Sequence, residues 1–180
     1  MEKYSDFKRK FMDLHGRNSC YTNPMIALNI EDQKLFTRLL FVTDTFDNFE
    51  LVEGEFVTRF SANLDGTLTE EDSDARYVRW GDARNIAFQI IKGKQLPRAF
   101  RLTMRLTEPN IEKTLASIGK TPESTNITSL LFNIRYEHEA LMLITGCAYS
   151  TFTPDRTAER EWDELMLKFL MKHEIPYLRS

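Results

Sequence analysis

Cysteine is nearly missing from this chain of 180 residues. Cys20 and Cys147 stand far apart with no CxxC spacing. That excludes a disulfide-held fold and a thiolate zinc site, and it fits a reducing compartment. Histidine is as scarce: His15, His138 and His173 are isolated, and none has metal-ligand spacing to another. Long apolar runs are missing too. The longest fall far short of the roughly 18 residues of a membrane span, and no signal-peptide core follows the charged first residues. The few glycines never gather into a phosphate-binding loop or a dinucleotide fingerprint. Lys92-Gly93-Lys94 has a single glycine and no Ser or Thr after it, and no nucleophile elbow is present. These absences predict a cytoplasmic protein with no metal, no cofactor and no membrane segment. They leave the catalytic residues unknown. Carboxylates such as Asp44, Asp47, Glu53 and Glu55 are plentiful, but acid–base pairs obey no spacing rule.

What is present suffices for a core. Apolar residues make up 42% of the chain and include thirteen Phe, so an aromatic-rich interior is expected. A chain of this length buries roughly 70% of its unfolded surface and needs no cross-links.

Residues 1–24 read as an extension. Tyr4, Phe7, Phe11 and Leu14 recur at helical spacing, and Gly16, Asn18, Asn23 and Pro24 then break regular structure. A single domain is expected over 25–180. Met25 to Ile30 alternates like a half-buried strand, and Leu35, Phe36, Leu39 and Leu40 form a helical stripe. Phe49 to Leu68 reads as two or three strands, with a tight turn expected at Asp65-Gly66. Asp82 is placed to cap a helix over Ala83 to Lys92, with Gly93 at its left-handed end. Phe100 to Leu106 alternates again, and Pro109 opens a short helix that Gly119 closes. Leu130 to Tyr136 and Ala140 to Phe152 predict a hairpin turning at Glu137-His138-Glu139. A last helix begins near Thr153-Pro154, with the stripe Ala158, Trp162, Leu165, Met166, Phe169 and Leu170.

The order is therefore β-α-β-β-α twice. Leu28 and Met104, Phe36 and Ile111, and Ile90 and Leu165 each lie about 75 residues apart, as two half repeats would place them. The expected class is α+β: a mainly antiparallel sheet with helices on one face.

Charge is distributed very unevenly. The net charge is −3, yet Arg76 to Arg105 holds eight basic residues and only Asp82 as an acid. From Asp44 to Asp74 there are ten acids and only Arg59 as a base. Arg84, Lys92, Lys94, Arg98, Arg101 and Arg105 are the candidate anion-binding residues, and Tyr77 and Trp80 are candidates to stack on a base or ring. Nucleic acid or a small anionic ligand would be the partner; the sequence is silent on oligomeric state. The opposing expectation is ordinary pairing. Arg101 and Arg105 share one strand face and can meet Glu50, Glu53 or Glu55 across neighbouring strands. Trp80 through Arg84 also reads as a strand-to-helix corner with Trp80 buried. Beside the binding protein stand two other classes: a small enzyme using Lys92, Lys94 and Arg98 to hold a phosphorylated or carboxylated substrate, and a protein-docking scaffold.

Several separated strings carry a resemblance. Met25-Ile26-Ala27-Leu28, Asp44-Thr45-Phe46-Asp47, Trp80 through Arg84 and Ile90 through Lys94 come first. Leu131 through Tyr136, Thr145-Gly146 and Trp162-Asp163-Glu164 follow in order. Together they resemble an uncharacterised family of small bacterial proteins, a domain of unknown function found mainly in anaerobic Gram-positive bacteria. The resemblance spans Met25 to Leu170 and implies a bacterial cytoplasmic protein with no established activity. Its members begin at the position of Met25, so residues 1–24 depart from it.

Overall fold

Alternating segments become strands, 3.6-residue stripes become helices, and antiparallel pairing joins all the strands into one sheet. The computed structural model describes residues 26–69, 75–93 and 97–179. In chain order these form β1 (Ala27–Ile30), α1 (Gln33–Phe41), β2 (Phe49–Val57), β3 (Ser61–Asp65), α2 (Trp80–Ile91) and β4 (Ala99–Leu106). Then come α3 (Glu108–Ser117), α4 (Pro122–Thr125), β5 (Ile127–Glu137), β6 (Ala140–Tyr149), α5 (Thr157–Lys172) and β7 (Tyr177–Arg179). The seven strands lie in the order β3-β2-β4-β5-β6-β1-β7, every neighbouring pair antiparallel.

Period-two alternation sorts the strand side chains onto two faces. Leu51, Phe56, Phe100, Leu102, Met104, Phe132, Ile134, Leu141 and Leu143 turn to one face, where they join Phe36, Leu40, Trp80, Ile111, Leu115, Trp162 and Met166 from the helices in one core. The helices therefore cover a single face, as expected for this α+β class. Edge-to-face contacts lock the middle of the core: Phe46 lies 5.1 Å from Phe169 and Phe49 lies 4.9 Å from Phe132, ring centre to ring centre. The opposite face carries Glu50, Glu53 and Glu55 from β2, Arg101, Thr103 and Arg105 from β4, and Asn133 and Arg135 from β5, at matched register.

Local chemistry sets the boundaries. The Asp32 side chain accepts from the Leu35 amide at 2.8 Å and starts α1. Gly119, at φ 68°, ends α3 as expected. His138 and Glu139, at φ 53° and 60°, make the two-residue turn between β5 and β6, where the hairpin was expected. Other expectations are corrected. The β2–β3 turn falls at Thr58–Phe60, with the Thr58 amide donating to the Phe60 carbonyl, rather than at Asp65-Gly66. Gly66 is needed for another reason: a Cβ there would stand 1.8 Å from the Leu51 carbonyl oxygen of β2. The second helix starts at Trp80, earlier than expected, and Arg79 occupies its cap position without a side-chain bond; Asp82 lies within the first turn. Lys92 ends that helix in an extended conformation, so Gly93 has no left-handed role.

The repeated element order is present, but the halves are not arranged alike. β4, β5 and β6 are neighbours in the second half, whereas in the first half β1 is separated from β2 by all three of them. The short α4 and β7 were not foreseen. The 1–24 extension, the acidic stretch at 70–74 and Lys94 lie outside the described residues.

Candidate functional site

The strand register decides the fate of two predicted anion-binding residues. Arg101 stands opposite Glu55 on one side and Arg135 on the other. Its guanidinium reaches Glu55 at 4.0 Å and Glu137 at 3.8 Å. Arg135 also donates to Glu137, and that hydrogen bond holds the Glu137 carboxyl below the usual range. Between these pairs the Thr103 hydroxyl lies 3.1 Å from Glu53 Oε1 and 2.9 Å from Asn133 Oδ1; with one proton it serves one acceptor at a time.

Arg105 is sequestered further. Its side chain is 1% exposed, its Nε donates to the Leu106 carbonyl at 3.0 Å, and the same atom lies 3.4 Å from Glu50. Its Nη2 pairs with Glu108, and its guanidinium stands over the Tyr77 ring at 5.3 Å. Burial pushes the Glu50 carboxyl up, with Arg105 opposing that shift. Arg105 is thus the centre of a buried ion-pair group, and Tyr77, with Arg76 also over its ring, is already stacked.

Arg84 is committed as well. Its Nη1 donates to the Val42 carbonyl at 2.8 Å and its Nη2 to Asp47 at 3.0 Å. The Nε–Oδ1 approach at 2.9 Å adds ion contact, though the N–H direction there makes no good hydrogen bond. Trp80 is corrected as a stacking residue. It is 0% exposed, packed edge-on against Phe41, and its indole N–H donates to the Leu40 carbonyl at 2.8 Å. The strand-to-helix corner is the reading the geometry fits.

Two of the predicted anion-binding cations have no carboxylate partner among the described residues. Lys92, at the end of α2, and Arg98, at the start of β4, are both exposed. The six-residue step between them keeps them within about 20 Å. The Arg98 amide donates to the Val57 carbonyl at 2.8 Å, which sets Arg98 beside the β2–β3 turn. That turn carries Arg59, exposed and also without an ion pair among the described residues, and Phe60, which is 79% exposed. Arg59 and Phe60 were not anticipated as site residues; the signal was an isolated aromatic inside the polar run Thr58-Arg59-Phe60-Ser61.

A second polar group also escaped the sequence, under α5. Glu159 and Asp163, one helical turn apart, face β6. The Tyr149 hydroxyl donates to Glu159 at 2.9 Å and the Thr145 hydroxyl to Asp163 at 2.5 Å. Burial lifts the Asp163 carboxyl to about 6, and it also raises the Tyr149 hydroxyl and the thiol of free Cys147 far above their usual ranges. Such a thiol is chemically quiet. No group of three or more His, Cys, Asp or Glu among the described residues is placed to hold a metal ion. None of their helices is long and apolar enough to cross a membrane.

Fold and site define an α+β protein built on one antiparallel sheet, with a salt-bridged open face and, at the β2–β3 turn, Arg59 and Arg98 without an ion pair among the described residues. The model of a family of unknown function, DUF5721, matches residues 39–178, and the chain belongs to that family. No curated protein and no solved structure matches it.

Proposed function

We propose that the protein is a non-enzymatic binding protein that engages nucleic acid, single-stranded in the first instance, at the corner formed by Arg59, Phe60, Lys92 and Arg98. One observation carries the reading: Arg59 and Arg98 lie at the turn that holds an exposed aromatic ring and, like Lys92, have no ion pair among the described residues, while Arg84, Arg101 and Arg105 are each held by carboxylates. Unpaired cations gain by replacing the counterions of a phosphate chain, and an exposed ring stacks on bases without regard to sequence. Lys94 belongs to the same chain segment and to the proposal. The net charge of −3 opposes long-range attraction, so binding depends on short-range contact and weakens steeply with salt. The reading sets the protein in a bacterial cytoplasm, as the family resemblance implies.

A catalytic use of Lys92 and Arg98 has less support. Of the two clefts described, one lies between α3 and α5 and the other against Glu31–Lys34, and neither is lined by these cations or by an acid of the 44–74 block.

Titration of a labelled single strand at about 50 mM and about 200 mM salt tests the proposal. Binding at the lower salt that falls at the higher, and that drops at least tenfold in Lys92→Glu with Arg98→Glu, is the expected result. Absence of binding at low salt, or binding untouched by the double reversal, overturns it.

A further inference from the structure

Between α3 and α5 the helix-covered side opens into a cleft of about 250 Å3. Leu106, Trp162, Leu165 and Phe169 line its almost wholly apolar wall, and the polar residues among its lining, Asn110, Lys113 and Thr114, all come from α3. Each wall follows from chain geometry. Trp162 and Leu165, three residues apart, share a face of α5, as do Asn110, Lys113 and Thr114 on α3. The Trp162 ring is fixed because its N–H donates to the Leu131 carbonyl at 2.9 Å. The Thr114 hydroxyl is spent on the Asn110 carbonyl at 2.8 Å. Two polar groups remain uncommitted among the described residues: the Lys113 ammonium and the Asn110 side-chain amide.

We infer that this cleft is a binding site for a small amphipathic carboxylate, with its apolar body on Trp162 and Leu165 and its carboxylate on Lys113 and Asn110. Size limits the body. A dry cavity of about 150 Å3 takes a benzene ring, so this volume takes roughly ten heavy atoms, below the span of drug-sized sites. Charge selects the head. Lys113 is the one charged residue of the lining, and Asn110, one turn away on the same helix face, has an amide that can donate a second hydrogen bond to a carboxylate. Nothing in this inference depends on the basic corner, which lies at the β2–β3 turn.

The test uses the full chain labelled with nitrogen-15 and follows the Trp162 indole N–H, assigned with Trp162→Phe, during titration with octanoate and with 3-phenylpropionate. Saturable shifts centred on Trp162 with a dissociation constant of about 1 mM are expected, since few heavy atoms support little more. Lys113→Met, an exposed change that leaves the fold alone, weakens binding at least fivefold. Leu165→Trp, which fills the cleft and keeps Lys113, abolishes it, and octylamine does not bind. No saturable shift up to about 10 mM, shifts centred on Trp80, equal binding by Lys113→Met, or equal binding of octylamine would each overturn the assignment.

Discussion

Arg101 and Arg105 lie only a few residues beyond Lys92 and Arg98, yet the two pairs have opposite surroundings. The first pair sits within β4, where register sets carboxylates directly opposite: Glu55 across from Arg101 and Glu50 across from Arg105. The second pair flanks the connection that leads into that strand, and neither Lys92 nor Arg98 has an ion pair among the described residues. A run of basic residues is therefore not a basic surface. Sheet pairing neutralises the part of the run that becomes strand and leaves the part that becomes loop available to a ligand.

The sharpest way to break the contrast is at its most buried point. Arg105→Met should cost about 3 kcal/mol, measured by urea unfolding at neutral pH, because it leaves Glu50 without its counter-ion. Adding Glu50→Gln should recover part of that loss. A cost below about 0.5 kcal/mol would mean that the pairing is not what holds this face. Next in size, Lys92→Glu with Arg98→Glu should change stability by less than about 0.5 kcal/mol while removing about 1.4 kcal/mol of nucleic-acid binding, the tenfold loss above.

Asp163 tests the contrast on the other side of the sheet, where a half-buried carboxylate has no ion pair among the described residues and only Arg179 as a more distant opposing charge. Its folded carboxyl sits at about 6, above the ordinary 3.8. The unfolded chain therefore loses this proton first as pH rises, and the folded state loses stability between those two values. Asp163→Asn should raise stability by about 1 kcal/mol at pH 8, partial exposure limiting the gain, and by nothing below about pH 4. Thermal melts at the two pH values check it; a gain that persists in acid would locate the effect elsewhere. The smallest effect is expected at Arg101. Arg101→Ala should cost about 0.5 kcal/mol, shrinking in salt, and should leave nucleic-acid affinity unchanged. A binding loss there would extend the site onto the open face.

The fold was legible where periodicity is strong. The alternation of Phe100 to Leu106 and the stripe through Trp162 and Met166 reappear as β4 and α5, because burial of one face dictates both patterns. The β2–β3 turn was misread because Asp65-Gly66 is a good turn pair chemically, whereas Gly66 serves the close approach of two backbones, which only packing reveals. Strand order was hidden for a similar reason: nothing local in Ala27–Ile30 says that its partners are β6 and β7. For the candidate site, Lys92 and Arg98 were visible as charges, but their freedom depends on which acids the register leaves over. Phe60 was overlooked because a lone apolar residue in a polar run has no period. That Arg101 and Arg105 share a strand face able to meet Glu50, Glu53 or Glu55 was legible from alternation, while which acid each one meets and the seating of Tyr77 against Arg105 were not.

The position of β1 has a consequence for the nascent chain. Its hydrogen-bonding partners are Met142–Ile144 and Tyr177–Arg179, more than a hundred residues downstream. At ordinary ribosomal speed those segments emerge on the order of ten seconds later. Until then an apolar strand with both edges open is carried on the growing polypeptide, a period in which chaperone capture or mispairing with another copy competes with completion of the sheet.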